Sequence, residues 1–223
     1  MAPGKLLGAG RTADVYEIDE AWVLRRDREG VGDAAAEGAV MEHVRAHGYP
    51  APRVRPGGPG APRTDLVMER LSGPTMLRAC LAGTLAPREA GTVLAGLLRR
   101  LHEVPAHRST APGARVLHLD LHPDNVILAP GGPRVIDWSN AEEGEPGLDW
   151  GMSAVILAQV AADDGPMAVP AGDMLAALLA DPSDLTQDGL AEARRRRAAN
   201  PTMSEREREV LPAAEALIRT HLA

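Results

Sequence analysis

The first part of the chain alternates between apolar and polar residues. A glycine-rich turn at Gly8 and Gly10 is followed by alternating segments at residues 15–18 and 22–25. Because successive side chains of a strand point to opposite faces, this pattern predicts a β-hairpin region. Residues 33–47 then change to apolar positions three or four apart, which predicts one helix after the strands.

Two further strand-like segments complete the first part of the chain. Residues 53–55 and 64–68 flank residues 56–62, where proline and glycine dominate and only a loop is compatible with the sequence. Together with the hairpin and the single helix, these segments predict a β-rich N-terminal lobe over residues 1–70.

The remainder is predominantly helical. Residues 85–104 carry an apolar stripe on one face, and the segment from Asp149 to the end reads as three or four more helices. Between them, two short apolar stretches within residues 116–136 enclose a polar loop. The predicted fold class is therefore α+β, with a mostly helical C-terminal lobe over residues 71–223.

Composition narrows the class of protein. Hydrophobic residues make up 44% and charged residues 25%, as in soluble globular chains, and the N-terminus lacks a secretory pattern, so we expect a cytoplasmic protein. Cys80 is the single cysteine, which excludes an internal disulfide and a cysteine-based zinc site.

The net charge of −7 excludes a general nucleic-acid-binding role, because such affinity depends on lysine and arginine displacing counterions. The run Arg194–Arg197 is interpreted as a solvated helix face. We expect no nucleic-acid or membrane partner, and a monomer or weak dimer.

The informative motif lies in the polar loop. His118-x-Asp120-x-x-x-x-Asn125 is followed twelve residues later by Asp137, and apolar stretches bracket both. This spacing matches the kinase catalytic loop and its metal-binding aspartate. A loop held between buried strands is rigid, and phosphoryl transfer depends mostly on positioning and charge stabilisation.

On these residues the chain resembles the aminoglycoside phosphotransferase family, whose loop reads His-Gly-Asp-Leu-His-Pro-x-Asn, with Leu119 here in place of glycine. The resemblance implies a two-lobed protein-kinase-like fold and a small-molecule kinase. It also implies that Asp120 is the catalytic base and that Asn125 and Asp137 bind magnesium, which prefers hard oxygen ligands.

The resemblance extends to residues around the loop. In Ile-Asp-Trp, Trp138 is expected to be a packing residue. Asp149 matches a family aspartate that braces the catalytic loop from the start of a helix, which is a structural role.

An independent element precedes the second strand. Gly8-x-Gly10-x-x-Ala13-x-Val15 follows the kinase glycine-loop pattern, in which small residues let the backbone close over a triphosphate.

Val23 and Arg25 point the same way on the third strand, where kinases keep a lysine, and Arg25 can grip phosphate oxygens there. A surface position for Arg25 remains an alternative. Glu37 resembles the glutamate that pairs with this basic residue, and Glu42 is the competing choice.

The segment Met68–Leu71 resembles the hinge between kinase lobes, so Glu69 and Leu71 are assigned to nucleotide binding through their backbone. Backbone contacts do not identify the base, and the phosphoryl donor is ATP or GTP.

The acceptor is a hydroxyl of a small molecule. Between Asp120 and Asp149 the chain has seven acidic residues and one arginine, and the surplus at Glu142, Glu143 and Glu145 favours a cationic aminoglycoside-like or amino-alcohol acceptor. An exposed acidic loop explains the same residues. Antibiotic resistance, self-protection and metabolism are all compatible roles.

Two other functions fit parts of the pattern. His118, Asp120 and His122 alternate, so on one strand they would converge on a metal, as in a metallohydrolase. Arg25 and Leu119 depart from the family pattern, which favours a nucleotide-binding pseudokinase. Against this second alternative, all three positions that handle the metal and the proton are filled.

Overall fold

A computed structural model describes residues 4–10, 12–30, 32–57, 60–182 and 184–222. They form two compact units. The first unit holds the chain up to Gly73 together with Ile127–Ala141, and the second unit holds Pro74–Val126 and the chain from Glu142 onward.

The first unit is built on an antiparallel sheet of five strands in the order β1-β2-β3-β5-β4. The strands are β1 (Leu6–Ala9), β2 (Ala13–Glu17), β3 (Trp22–Asp27), β4 (Val54–Arg55) and β5 (Asp65–Glu69). Short hydrogen-bonded turns set the first two connections: Gly10 donates to the carbonyl of Ala13, and the Asp19 carboxylate accepts the N–H groups of Ala21 and Trp22.

One helix, α1 (Ala34–Ala46), follows β3. Its N-cap is Asp33, whose side chain accepts the N–H of Ala36. Met41 and Val44 are buried, as the three-to-four spacing requires. The predicted strands and helix of this part of the chain are confirmed, while Gly58 and Pro59 of the predicted loop lie outside the described residues.

The later segment of the first unit contains the hairpin of β7 (Val126–Ala129) and β8 (Gly132–Val135). Val135 donates to the carbonyl of Pro50 at 2.8 Å, and the buried Trp138 meets Tyr49 edge-on with ring centroids 5.6 Å apart. Gly73 packs so closely against the Leu128 carbonyl that a Cβ would overlap it. These contacts place Asp137 in the same unit as β3 and α1.

The second unit is mainly helical. Its helices are α2 (Met76–Leu81), α3 (Pro87–Leu101), α4 (Pro146–Ala161), α5 (Ala168–Leu178), α6 (Gln187–Ala199), α7 (Glu205–Glu209) and α8 (Leu211–Leu222), and its strands β6 (Arg115–Leu117) and β9 (Glu142–Gly144) pair antiparallel. Helix α4 is buried around most of its circumference and contacts α5, α6 and α8. It is therefore the core helix of this unit.

The predicted α+β fold class, with a β-rich and a helical part, is confirmed. The predicted number of C-terminal helices was wrong, because the described chain after Glu145 forms five helices rather than three or four. Two of them, α7 and α8, follow each other directly, so the sequence pattern does not separate them. No helix within the described ranges has the length and apolar character needed to span a membrane.

Candidate active site

The polar loop joins β6 to β7 and ends in a single 3-10 turn over Pro123–Asn125. It keeps the Asp120 side chain 24% exposed while Asn125 is buried. An ionisable group that is mostly enclosed but still reachable suits proton exchange with a bound hydroxyl.

The backbone of this loop is strained at Leu119, whose φ is 62°. A left-handed conformation costs an L residue other than glycine about 1–2 kcal/mol. The buried carboxylate of Asp149 holds it there by accepting the N–H of His118 at 2.9 Å and of Leu119 at 2.7 Å. Burial tends to raise the pKa of Asp149, but hydrogen bonds from His102 and the loop outweigh it and lower the pKa.

His102 is a site residue that the sequence analysis missed. Its Nε2 lies 3.1 Å from Asp149 Oδ2, and the ring is buried at the C-terminal end of α3. Because an ionised carboxylate only accepts, Nε2 carries the proton. The available signal was its position after Leu98 and Leu101 on the apolar stripe, where a histidine needs a buried polar partner.

Asn125 anchors Asp120. Its Nδ2 donates to the Asp120 carbonyl at 2.9 Å and lies 3.3 Å from Asp120 Oδ2. Since a carbonyl can only accept, the amide nitrogen must face it, and this fixes the direction of Asn125 Oδ1. Burial tends to raise the pKa of Asp120, but its interactions with His122, His118 and Arg197 outweigh burial, so the pKa is lowered and the group is ionised at neutral pH.

Arg197 itself differs from the interpretation of its run as solvated. Its side chain is 12% exposed and its Nε donates to Gln159 Oε1 on α4. Arg195, two residues earlier, has the predicted exposed position and pairs with Glu192.

In the first unit, Arg25 connects two carboxylates. Its Nη1 donates to Glu37 Oε2 at 2.9 Å and its Nη2 to Asp137 Oδ1 at 2.7 Å. Arg25 is 8% exposed, so the alternative of a surface strand residue was wrong. Glu42 is exposed, and Glu37 is the glutamate that pairs with Arg25. Burial raises the pKa of the Glu37 carboxyl to about 7 against the opposing charge of Arg25.

Asp137 also has a left-handed backbone, with φ of 63°. Its Oδ1 accepts a second hydrogen bond from Ser139 Oγ at 2.9 Å. Trp138 is buried as predicted, and its indole N–H donates to the Val135 carbonyl. The aspartate is therefore carried by a turn whose neighbouring ring is anchored in the core.

The residues predicted to bind nucleotide also lie in the first unit. Gly8 is in β1, Gly10 closes the turn onto Ala13 at the start of β2, and Val23 is buried in β3.

Glu69 ends β5, and Leu71 follows two residues later. Partial burial of Glu69 tends to raise its pKa, but the N–H and guanidinium of Arg53 outweigh this and lower it. The Glu69 side chain is thus bound to Arg53, and the Glu69 backbone N–H donates to the Arg53 carbonyl at 2.8 Å. The predicted backbone contact with a nucleotide stays a prediction.

The acidic segment 142–145 is mostly not a loop. Glu142 and Glu143 belong to β9, where Glu142 pairs with Arg196 at 2.8 Å. Glu143 accepts the backbone N–H groups of three consecutive residues, 107–109. Both interpretations of this segment therefore need correction, because two of its three acids bind partners within the fold. Glu142 and Glu145 are exposed, as an acidic loop would be, whereas Glu143 is not.

The metallohydrolase alternative required a strand through His118, Asp120 and His122. These residues lie in the irregular loop, and the left-handed Leu119 breaks the alternation. Across the described part of the chain, no group of three or more His, Cys, Asp or Glu residues is placed to hold a metal ion. The observation contradicts this alternative.

The donor chemistry nevertheless fits magnesium that arrives with a nucleotide. Asn125 offers an amide oxygen in a fixed direction, and Asp137 offers a carboxylate. Magnesium is commonly held by one or two such oxygens together with substrate phosphates, and each of these residues carries a donor of that kind.

The sequence also matches a known enzyme family. The sequence signature of the phosphotransferase enzyme family matches residues 4–115 and 105–186. A search among curated proteins gave no match.

Solved structures with the same fold include several small-molecule kinases. A choline/ethanolamine kinase family protein from Mesorhizobium loti has a TM-score of 0.57 at 15% identity, covering 99% of this chain and 91% of that one. The amicoumacin kinase hAmiN, in complex with AMP-PNP, Ca²⁺ and Ami, has a TM-score of 0.55 at 14% identity and coverages of 97% of this chain and 87% of that one.

A thermostable mutant of the aminoglycoside phosphotransferase APH(4)-Ia, bound to AMP-PNP and hygromycin B, has a TM-score of 0.54 at 14% identity, with coverages of 97% and 93%. This structural similarity establishes the fold and confirms the predicted protein-kinase-like architecture.

Proposed function

The chain belongs to the phosphotransferase enzyme family, and from this premise we propose that it transfers the γ-phosphoryl group of ATP or GTP to a hydroxyl of a small molecule. The observation that carries the proposal is the loop of the second unit, where Asn125 binds Asp120 and Asp149 holds the backbone of the two residues before it. That loop combines a rigid backbone with an ionised, partly exposed carboxylate.

Asp120 is the proposed catalytic base. It accepts, or orients for attack, the proton of the acceptor hydroxyl as the oxygen approaches the γ-phosphorus. The lowered pKa of Asp120 supports this role, because the carboxylate is available as an acceptor at neutral pH. A proton-accepting group in phosphoryl transfer needs correct placement more than high basicity.

Asn125 and Asp137 are the proposed magnesium ligands. When bound, magnesium would neutralise charge on the triphosphate and thereby favour transfer. In support, the hydrogen bonds that hold each side chain leave one oxygen available. Asn125 is held through Nδ2, which leaves Oδ1, and Asp137 is held through Oδ1, which leaves Oδ2.

The nucleotide is proposed to lie against the first unit. The turn from Gly8 to Ala13 covers the phosphates, and Val23 and the backbone at Glu69 and Leu71 contact the base. The support is the placement of small residues at the turn between β1 and β2 and of the buried Val23 in β3 of the same sheet.

The acceptor is proposed to be a hydroxylated small molecule, with a cationic aminoglycoside or amino-alcohol as the expected class. Hygromycin B in a related structure and the net charge of −7 support this class. Glu142 and Glu143 do not support this class, because both already bind partners within the second unit.

A screen of ATP and GTP against aminoglycosides, amino-alcohols, nucleosides and sugars tests the proposal. The expected result is nucleoside diphosphate release together with a mass gain of one phosphoryl group on one acceptor. The signal should disappear in Asp120→Ala and persist in Asp124→Asn, an exposed carboxylate of the same loop. Nucleotide binding without transfer to any acceptor would instead support a pseudokinase that uses the fold for binding.

A further inference from the structure

Arg25 occupies the place of a phosphate-binding lysine, yet its guanidinium is already engaged by protein carboxylates. Nη1 binds Glu37 at 2.9 Å and Nη2 binds Asp137 at 2.7 Å. Both distances are those of strong charge-assisted hydrogen bonds. These two bonds use two of the five N–H donors of the guanidinium.

The two donors to Asp137 meet at the same oxygen. Arg25 Nη2 and Ser139 Oγ both donate to Oδ1, at 2.7 and 2.9 Å. A carboxylate with one oxygen held from two directions has little freedom to rotate. Its other oxygen, Oδ2, is therefore presented in one direction.

The backbone around Asp137 is held by the same cluster. Asp137 has φ of 63°, and the N–H of the next residue, Trp138, is hydrogen-bonded to Glu37. Arg25 thus binds the aspartate directly and also binds the glutamate that secures the following peptide. Arg25, Glu37 and Asp137 all lie in the first unit.

We propose that Arg25 is a positioning residue for Asp137: together with Ser139 it holds Oδ1 so that Oδ2 is offered to a divalent cation. This role acts through Asp137 and is separate from any direct contact of Arg25 with phosphate. This inference rests on the proposed function, in which a divalent cation accompanies the nucleotide. Partners that orient a metal ligand typically contribute a factor of about 10 to 100 in metal affinity.

The choice of arginine follows from this role. A guanidinium has two terminal nitrogens in a rigid fork, so each can bind a different carboxylate, whereas lysine has one compact ammonium. At this position the fork joins α1 to the turn that carries Asp137.

The chain supplies a matched control on the same strand. Arg26 is the next residue of β3 and binds Asp65 through Nε at 2.7 Å and Nη2 at 2.6 Å. Arg25→Met and Arg26→Met therefore each remove one guanidinium and its carboxylate bonds from adjacent positions. Only the first removes a donor to Asp137.

The experiment measures binding of the non-hydrolysable triphosphate AMP-PNP by calorimetry, once with Mn²⁺ and once with EDTA. Arg25→Met is expected to weaken binding with Mn²⁺ by about 10- to 100-fold and to change metal-free binding less than about threefold. Arg26→Met should change neither. Ser139→Ala, at an exposed position, should weaken only the Mn²⁺-dependent binding and by less, which keeps the test open if Arg25→Met does not fold.

Two results would overturn the inference. Equal losses with and without Mn²⁺ in Arg25→Met would make Arg25 a phosphate ligand, and tighter Mn²⁺-dependent binding would make it a competitor of the metal. A wild-type chain that binds no AMP-PNP contradicts the proposed function instead. In that case amide hydrogen exchange of the ligand-free chain decides: faster exchange at residues 137–139 in Arg25→Met than in Arg26→Met supports positioning, and equal exchange refutes it.

Discussion

The loop of residues 118–125 in the second unit and the Asp137 turn of the first solve the same problem with opposite charges. Each contains a left-handed residue other than glycine, Leu119 in one and Asp137 in the other. The buried carboxylate of Asp149 holds the loop at Leu119 by accepting the backbone N–H groups of His118 and Leu119. A buried cation, Arg25, holds the second through its side chain.

The difference follows from what each loop presents. Next to Leu119 the proposed base belongs to the following residue, Asp120, so the main chain itself has to be fixed. At Asp137 the strained residue carries the carboxylate that is proposed to bind metal, and holding one of its oxygens orients the other. Backbone strain at functional sites persists only where the surroundings over-determine it, and both loops meet that condition in different ways.

The largest expected effect comes from removing the anion. Asp149→Ala leaves the N–H groups of His118 and Leu119 and the ring of His102 without their acceptor, so we expect the free energy of unfolding to fall by about 3–5 kcal/mol. Urea denaturation measures this. Asp184→Ala, a carboxylate on the other side of His102 and 44% exposed, is the control and should cost less than about 1 kcal/mol. Comparable losses in both variants would show that Asp149 has no special part in holding the loop.

The cation side of the comparison predicts an unusual pH dependence. The pKa of Glu37 is about 7 in the folded chain against 4.5 for an ordinary glutamate, so the folded state binds the extra proton between these values. Stability from this group therefore falls as pH rises through that window, by about 3 kcal/mol in total.

Glu37→Gln should flatten the stability curve between pH 4.5 and 7, and Glu42→Gln, exposed on the same helix, should leave it unchanged. Denaturation at a series of pH values checks this. An unaltered slope in Glu37→Gln would mean that this carboxyl is ionised throughout the range.

The smallest expected effect isolates the strain itself. Leu119 is 5% exposed, so both Leu119→Ala and Leu119→Gly lose packing, but only glycine also relieves the left-handed backbone. Leu119→Gly should therefore be more stable than Leu119→Ala by about 1 kcal/mol. At Leu121, which is fully buried and has no positive φ, the order should be reversed. The same order at both positions would show that backbone strain at Leu119 does not affect stability.

Much of the fold could be predicted because its signals are local. The strand alternation, the Asp33 N-cap and the helical stripe of α3 each lie within a few residues of sequence, and all three are present. The return of residues 127–141 to the first unit could not be predicted. It depends on contacts such as Val135 with Pro50, which are far apart along the chain.

The candidate site divides in the same way. The spacing of Asp120, Asn125 and Asp137 identified the motif, since kinase chemistry requires those residue types in that order. Sequence did not reveal that His102 supports Asp149, or that Glu143 is consumed by backbone N–H groups. Both facts depend on which polar groups become buried together, and periodicity carries no such information.

The central claim is that Asp120 acts in the chemical step and not in nucleotide binding. Its most direct test is turnover and nucleotide affinity measured on the same preparation of Asp120→Asn, with Asp124→Asn as the matched control. We expect kcat to fall by about 10²- to 10⁴-fold while the nucleotide Kd changes less than about threefold. Turnover of Asp120→Asn close to that of the unmodified chain would contradict the account.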